Sequence, residues 1–122
     1  MNRIVVVISL IAGLLSIQAV NAQPRKTLVA GTVVDVYCLI TMNMGGQSHN
    51  SCATTCANNG APLAIKEDRT GVIYLAAGHQ KDMVYASPGL GKYMEQHVSV
   101  RGTVYERDGL KMIVVDSVTS TK

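Results

Sequence analysis

From Val98 onward the chain alternates. Val98, Val100, Gly102 and Val104 share one parity, and Ser99, Arg101 and Thr103 share the other. That period of two predicts a strand with one buried face. Asp108-Gly109 is a hairpin turn signal, and Leu110 to Val118 reads as the returning strand, with a polar tail expected to fray. Nearer the start, Thr27 to Ile40 is rich in β-branched residues and contains one glycine, which predicts a long strand bent at Gly31. A second hairpin is expected from Pro62–Lys66, a turn at Asp68-Arg69-Thr70-Gly71, and Val72–Ala76. Lys81 to Glu95, interrupted by Pro88-Gly89 and Gly91, reads as two helical turns with a break between them.

Between the first two strands the period changes. Gly45-Gly46 breaks the chain in the loop TMNMGGQ, and SHNSCATTCANNGAP, residues 48–62, follows. Ser48 or Asn50 could cap a short helix here. Gly60 and Pro62 supply its stop. Ala53 and Ala57 are small enough to pack closely on a sheet. The order is strand, inserted helix, strand, strand, helical segment, strand, strand. The expected fold is therefore mainly β: a small five-stranded OB-like barrel with a short Cys/His-bearing helix after its first strand. Gly31-Thr32-Val33 and Gly102-Thr103-Val104 fit curved strands in which glycine allows bending.

The extreme N-terminus follows neither period. Met1-Asn2-Arg3 is basic, Ile4 to Val20 is almost wholly apolar, and Val20-Asn21-Ala22 ends in a small residue before polar Gln23-Pro24-Arg25-Lys26. This is the pattern of a secretory signal peptide over residues 1–22, cleaved after Ala22. The rival reading is an uncleaved anchor, for which the run is about the minimum length. Cleavage leaves one OB-like domain, 23–122, in the periplasm or outside the cell, with no stable membrane span. One hundred residues suit a single core. Of the eleven basic residues Arg3 leaves with the leader, so ten stand against eight acidic ones. A net charge of +2 is too small to argue for a nucleic-acid partner. With no Phe or Trp in the chain, the core must be built from Val, Ile, Leu, Met and Tyr.

Export changes the meaning of the three cysteines. In an oxidising compartment paired cysteines usually form disulfides, and an odd number leaves one thiol over. His49, Cys52 and Cys56 lie at i, i+3 and i+7, on one helix face, and Cys38 ends the strand that leads towards them. Cys38, His49, Cys52 and Cys56 together suit a tetrahedral zinc ion, or copper, because soft sulfur ligands favour Cu(I). Met42 and Met44 could add thioethers, although methionines in such loops are commonly loosely packed. Asp35 could orient His49 or simply cap a turn. Strict alternation places Asp35 and Cys38 on opposite faces, so a bulge would be needed for both to reach the site.

Two other readings stay open. A disulfide from Cys38 to Cys52 or Cys56 would staple the helix to the sheet, worth about 2–4 kcal/mol, and the domain would then be a binding module for a protein or envelope ligand. A redox-active thiol pair is the third, with Cys52 near a helix N-terminus. His79 and His97 read as surface residues. Tyr37, Tyr74 and Tyr105 could form a flat ligand face, or belong to barrel core and rim. No catalytic set is visible: Ser48 and Ser51 lack triad logic, and G-x-S-x-G, H-E-x-x-H and phosphate-cradling loops are absent.

The G-x-V-x-D-x-x-C run Gly31–Cys38, the H-x-x-C-x-x-x-C-A-x-x-G-x-P run His49–Pro62 and V-V-D-S-V ending at Val118 together resemble small exported bacterial OB-like domains without an assigned activity. The resemblance spans most of the mature chain. It implies the barrel and groups the three cysteines with His49. Cys52-Ala53-Thr54-Thr55-Cys56 is also similar, in spacing alone, to the copper site of Sco-type assembly proteins, whose thioredoxin-like pattern this sequence lacks.

Overall fold

The computed structural model describes residues 23–79 and 89–121. The predicted signal peptide and the first predicted helical turn after Lys81 lie outside them. Five strands are present: β1 (Arg25–Asp35), β2 (Leu63–Glu67), β3 (Ile73–Ala77), β4 (His97–Arg107) and β5 (Leu110–Ser120). They close into a barrel in the order β1-β2-β3-β5-β4, with β4 returning to β1. All pairings are antiparallel except β3 with β5. This is the five-stranded, OB-like barrel expected from the pattern, and closure removes the exposed sheet edges that a small β protein would otherwise have to protect.

Two helices follow β1: α1 (Val36–Met42) and, after a 3-10 turn at Gln47–His49, α2 (Asn50–Asn58). A second 3-10 turn, Leu90–Tyr93, precedes β4. The barrel interior holds Val33, Ile65, Leu90, Met94, Val98, Val100 and Ile113, all fully or almost fully buried. Ala53 of α2 is completely buried in this same cluster, and Ala57 packs against it. The small residues of α2 thus let its backbone approach the barrel closely, and this fixes where Cys52 and Cys56 project.

The glycines of the two Gly-Thr-Val runs are places of close approach. A Cβ on Gly31 would collide with the Lys66 carbonyl of β2, and one on Gly102 with the Val114 carbonyl of β5. Opposite Arg101 and Gly102 the register skips Asp116 of β5, the pattern of a β-bulge on that strand.

Three expectations need correction. The first strand ends at Asp35 rather than Ile40, because Asp35 starts a helix there. Cys38 therefore lies on α1, not on the end of a strand. The C-terminal tail does not fray at Val118: β5 keeps pairing to Ser120 opposite Val98, and the Thr121 amide donates to the His97 carbonyl at 3.2 Å.

Candidate metal centre

Asp35 explains how the site is assembled. Its φ and ψ of −79° and 116° are still extended, while its side chain caps α1 by accepting from the Tyr37 amide at 2.8 Å and the Cys38 amide at 3.4 Å. An aspartate N-cap satisfies donors that a new helix leaves open. The strand-to-helix switch also answers the alternation problem. Once residues 36–38 turn helically, Asp35 and Cys38 can face the same way without a bulge. Asp35 is 1 % and Cys38 2 % exposed.

His49 occupies the last position of the 3-10 turn, immediately before α2, and is 4 % exposed. Its immediate surroundings are held by the segment that precedes β4. Glu95, itself buried and at a positive φ of 57°, accepts from the Gly46 amide at 2.8 Å through Oε2. Gln47 donates to the Glu95 carbonyl at 2.5 Å, and Asn50 to the Met94 carbonyl at 2.6 Å. The same segment is stitched to β1: the Glu95 amide donates to Val33 at 2.9 Å, and the Val33 amide to Gln96 at 3.1 Å. Residues 94–96 therefore brace both the end of β1, which carries Asp35, and the turn that carries His49. Nothing in the sequence around Glu95 marks it as this brace. Asn50, expected as a cap, spends its side chain on this brace instead.

The donor atoms fall into two groups that share Cys38. Ligand atoms of Cys38, Cys52 and Cys56 lie within 4.8 Å of one another, and so do those of Asp35, Cys38 and His49. Cys38 and Cys56 place their sulfurs 3.9 Å apart, a thiol–thiol contact between α1 and α2. All three cysteines are free. Cys38 is buried, Cys56 half-buried and Cys52 exposed. The predicted residues thus meet around Cys38, joined by Asp35, but the single helix face expected for His49, Cys52 and Cys56 is not formed: His49 ends the 3-10 turn before α2 and groups with neither Cys52 nor Cys56. Met42 and Met44 are exposed, 50 % and 41 %.

The inner group is poorly satisfied as it stands. Asp35 Oδ2 and both ring nitrogens of His49 are buried without a hydrogen-bond partner. Each such orphan typically costs about 1–3 kcal/mol, and buried polar groups are otherwise almost always paired. A cation coordinated here would accept the lone pairs of the carboxylate and of one imidazole nitrogen. Electrostatics fit that reading. The Cys38 thiol is pushed up to about 12 by the neighbouring Asp35 carboxylate, by burial and by Cys56. Cys56 is raised by Asp35 and by burial. Burial is the largest influence on Asp35 and pushes it upwards. The nearby Cys38 and Cys56 thiols and the capping amides outweigh it and hold the carboxyl below its ordinary value. Without a cation the pocket thus favours one carboxylate and neutral thiols. A bound metal would reverse the balance by stabilising thiolates outright.

The remaining candidates are dispersed. His79 pairs with Asp116 at 2.8 Å and His97 with Asp68 at 3.3 Å, and both histidines are exposed. Tyr74 is buried in the core while Tyr37 and Tyr105 are 61 % and 42 % exposed, so the three do not make one ligand face. Among the described residues no helix is long and apolar enough to cross a membrane. No family model matches this chain, and neither does any curated protein or solved structure. The barrel thus defines the architecture, and a Cys/His/Asp cluster able to hold a metal ion defines the site.

Proposed function

We propose that this protein is an exported carrier or sensor of a soft transition metal, copper or zinc, in the cell envelope. Cys38, His49, Cys52 and Cys56 are its ligands, with Asp35 beside them. The observation that carries this reading is the pair of buried, unpartnered side chains, His49 and Asp35, set against a cluster of free thiols. Disulfide formation would leave both orphaned; a cation bound between them would not. Three thiolates favour Cu(I) or zinc over hard ions. The export part of the reading rests on the basic start, apolar run and small residue at Ala22. A metal also protects thiolates in an oxidising compartment. A carrier's partner would be an envelope protein that gives or takes the ion.

The contact between Cys38 and Cys56 favours one alternative, a disulfide-stapled binding module, because these two thiols are the pair poised to oxidise. Native mass spectrometry of the mature protein, purified from its own compartment without chelators, separates the two. Bound copper or zinc with all thiols reduced is the expected result. A metal-free mass short by two hydrogens would overturn it in favour of the staple. Replacing His49 with Ala should weaken metal binding at least tenfold. It would do little to a stapled module, and in a small thiol oxidoreductase it would instead change thiol reactivity.

A further inference from the structure

Resting on that metal-binding reading, we infer that the cluster is a two-ion centre in which the Cys38 sulfur bridges an outer, trithiolate-bound ion and an inner ion held by Asp35 and His49. The first reason is geometric. Cys38 belongs to both groups of mutually close donors, while His49 groups with neither Cys52 nor Cys56. An ion drawn to the three thiolates leaves the His49 nitrogens unpartnered and buried. An ion placed to satisfy those atoms leaves Cys52 and Cys56 with nothing to hold.

Charge gives the second reason. Three thiolates and a carboxylate carry four negative charges. One divalent ion leaves two of them uncompensated, and one Cu(I) leaves three. The ion pairs among the described residues involve Asp116, Asp68 and Glu106; none reaches Asp35. Two cations bring the cluster close to neutrality.

The two positions differ in chemistry and in access. The outer one has sulfur donors only, and Cys52 is exposed; three thiolates favour a soft ion, Cu(I) or zinc. The inner one offers oxygen, nitrogen and a bridging sulfur from side chains at most 4 % exposed. That set suits a borderline divalent ion such as zinc. The inner ion is then the structural one, closing the junction of β1, α1 and the His49 turn, and the outer ion is the exchangeable cargo. Each cysteine releases its thiol proton to solvent as it becomes a ligand.

The test uses the reduced, metal-free mature chain, titrated with Zn(II) and with Cu(I) and read by native mass spectrometry, with circular dichroism to verify folding. The expected result is two ions per wild-type chain, the first to leave under chelator being the one lost in Cys52→Ser. Cys52→Ser should retain one ion, and so should Asp35→Asn. Because Cys52 is exposed, its replacement tests the outer position without endangering the fold. Wild-type saturation at one ion overturns the two-ion centre and leaves the metal-binding reading intact. Two ions retained by Cys52→Ser also overturn it, marking the second as adventitious. Absence of any bound ion overturns both the centre and the reading beneath it.

Discussion

Asp35 does two jobs with its two carboxylate oxygens. Oδ1 caps α1, and Oδ2 is the orphan that faces the cluster. The two jobs separate by substitution. Asp35→Asn keeps a capping oxygen, since asparagine is as good an N-cap as aspartate. It should leave the stability of the metal-free protein within about 0.5 kcal/mol while weakening metal binding. Asp35→Ala removes the cap as well and should cost a further 0.5–2 kcal/mol or so, measurable by urea unfolding. Equal stability of the two variants would show that the cap matters little. The capping role was among the readings available from sequence, but the consequence was not. Period-two alternation assumes that a strand continues, and only the turn at Asp35 brings Cys38 onto the side of His49. Likewise, Glu95 gave no signal as a brace, because its partners Gly46 and Gln47 are almost fifty residues away in the chain.

The strands were legible wherever apolar and polar residues alternate, as at Val98–Val104, and the turns wherever Gly ends them, as at Asp108-Gly109 and Gly71. Element ends were less legible. The Thr27–Ile40 run is rich in β-branched residues and stays largely apolar on both sides of Asp35, so composition alone continues the strand past Asp35. The repeated Gly-Thr-Val runs were read as bends, and the structure adds the reason: Gly31 and Gly102 lie against backbone carbonyls of the neighbouring strands. Gly102→Ala should therefore force β4 away from Val114 and cost about 1–3 kcal/mol, as overpacking typically does. A thermal melt of the metal-free protein would check this, and an unchanged midpoint would mean that the bulge on β5 opposite Arg101 and Gly102 absorbs the methyl group.

For the molecule as a whole, closure depends on strands that meet far apart in sequence. Asp116 of β5 receives Lys26 of β1 at 2.6 Å and His79, which follows β3, at 2.8 Å. These partners hold the Asp116 carboxyl below its ordinary value of 3.8, Lys26 having the larger influence and His79 the next. A depressed carboxylate stabilises the fold above its unfolded value, and that stabilisation is lost as pH falls through the folded one. Metal-free protein should thus lose part of its stability below about pH 4, the unfolded value. Asp116→Asn should flatten that part of the pH profile, and added salt should flatten it too because the groups are exposed. Identical acid profiles for the variant and the wild type would remove Asp116 from this role.

Sequence alone determined the local terms: strand period, turn positions, the small residues that let α2 lie on the barrel, and the clustering of His49, Cys52 and Cys56 within eight residues. These follow from nearest-neighbour sterics and from the 2.0 and 3.6 periods of strand and helix. Tertiary structure alone decided which donors meet. The cap at Asp35 turned Cys38 inwards, and the brace at residues 94–96 tied the His49 turn to β1. Barrel closure then buried Asp35 and His49 side by side. Such contacts depend on chain segments folding back across long loops, and no local period encodes them.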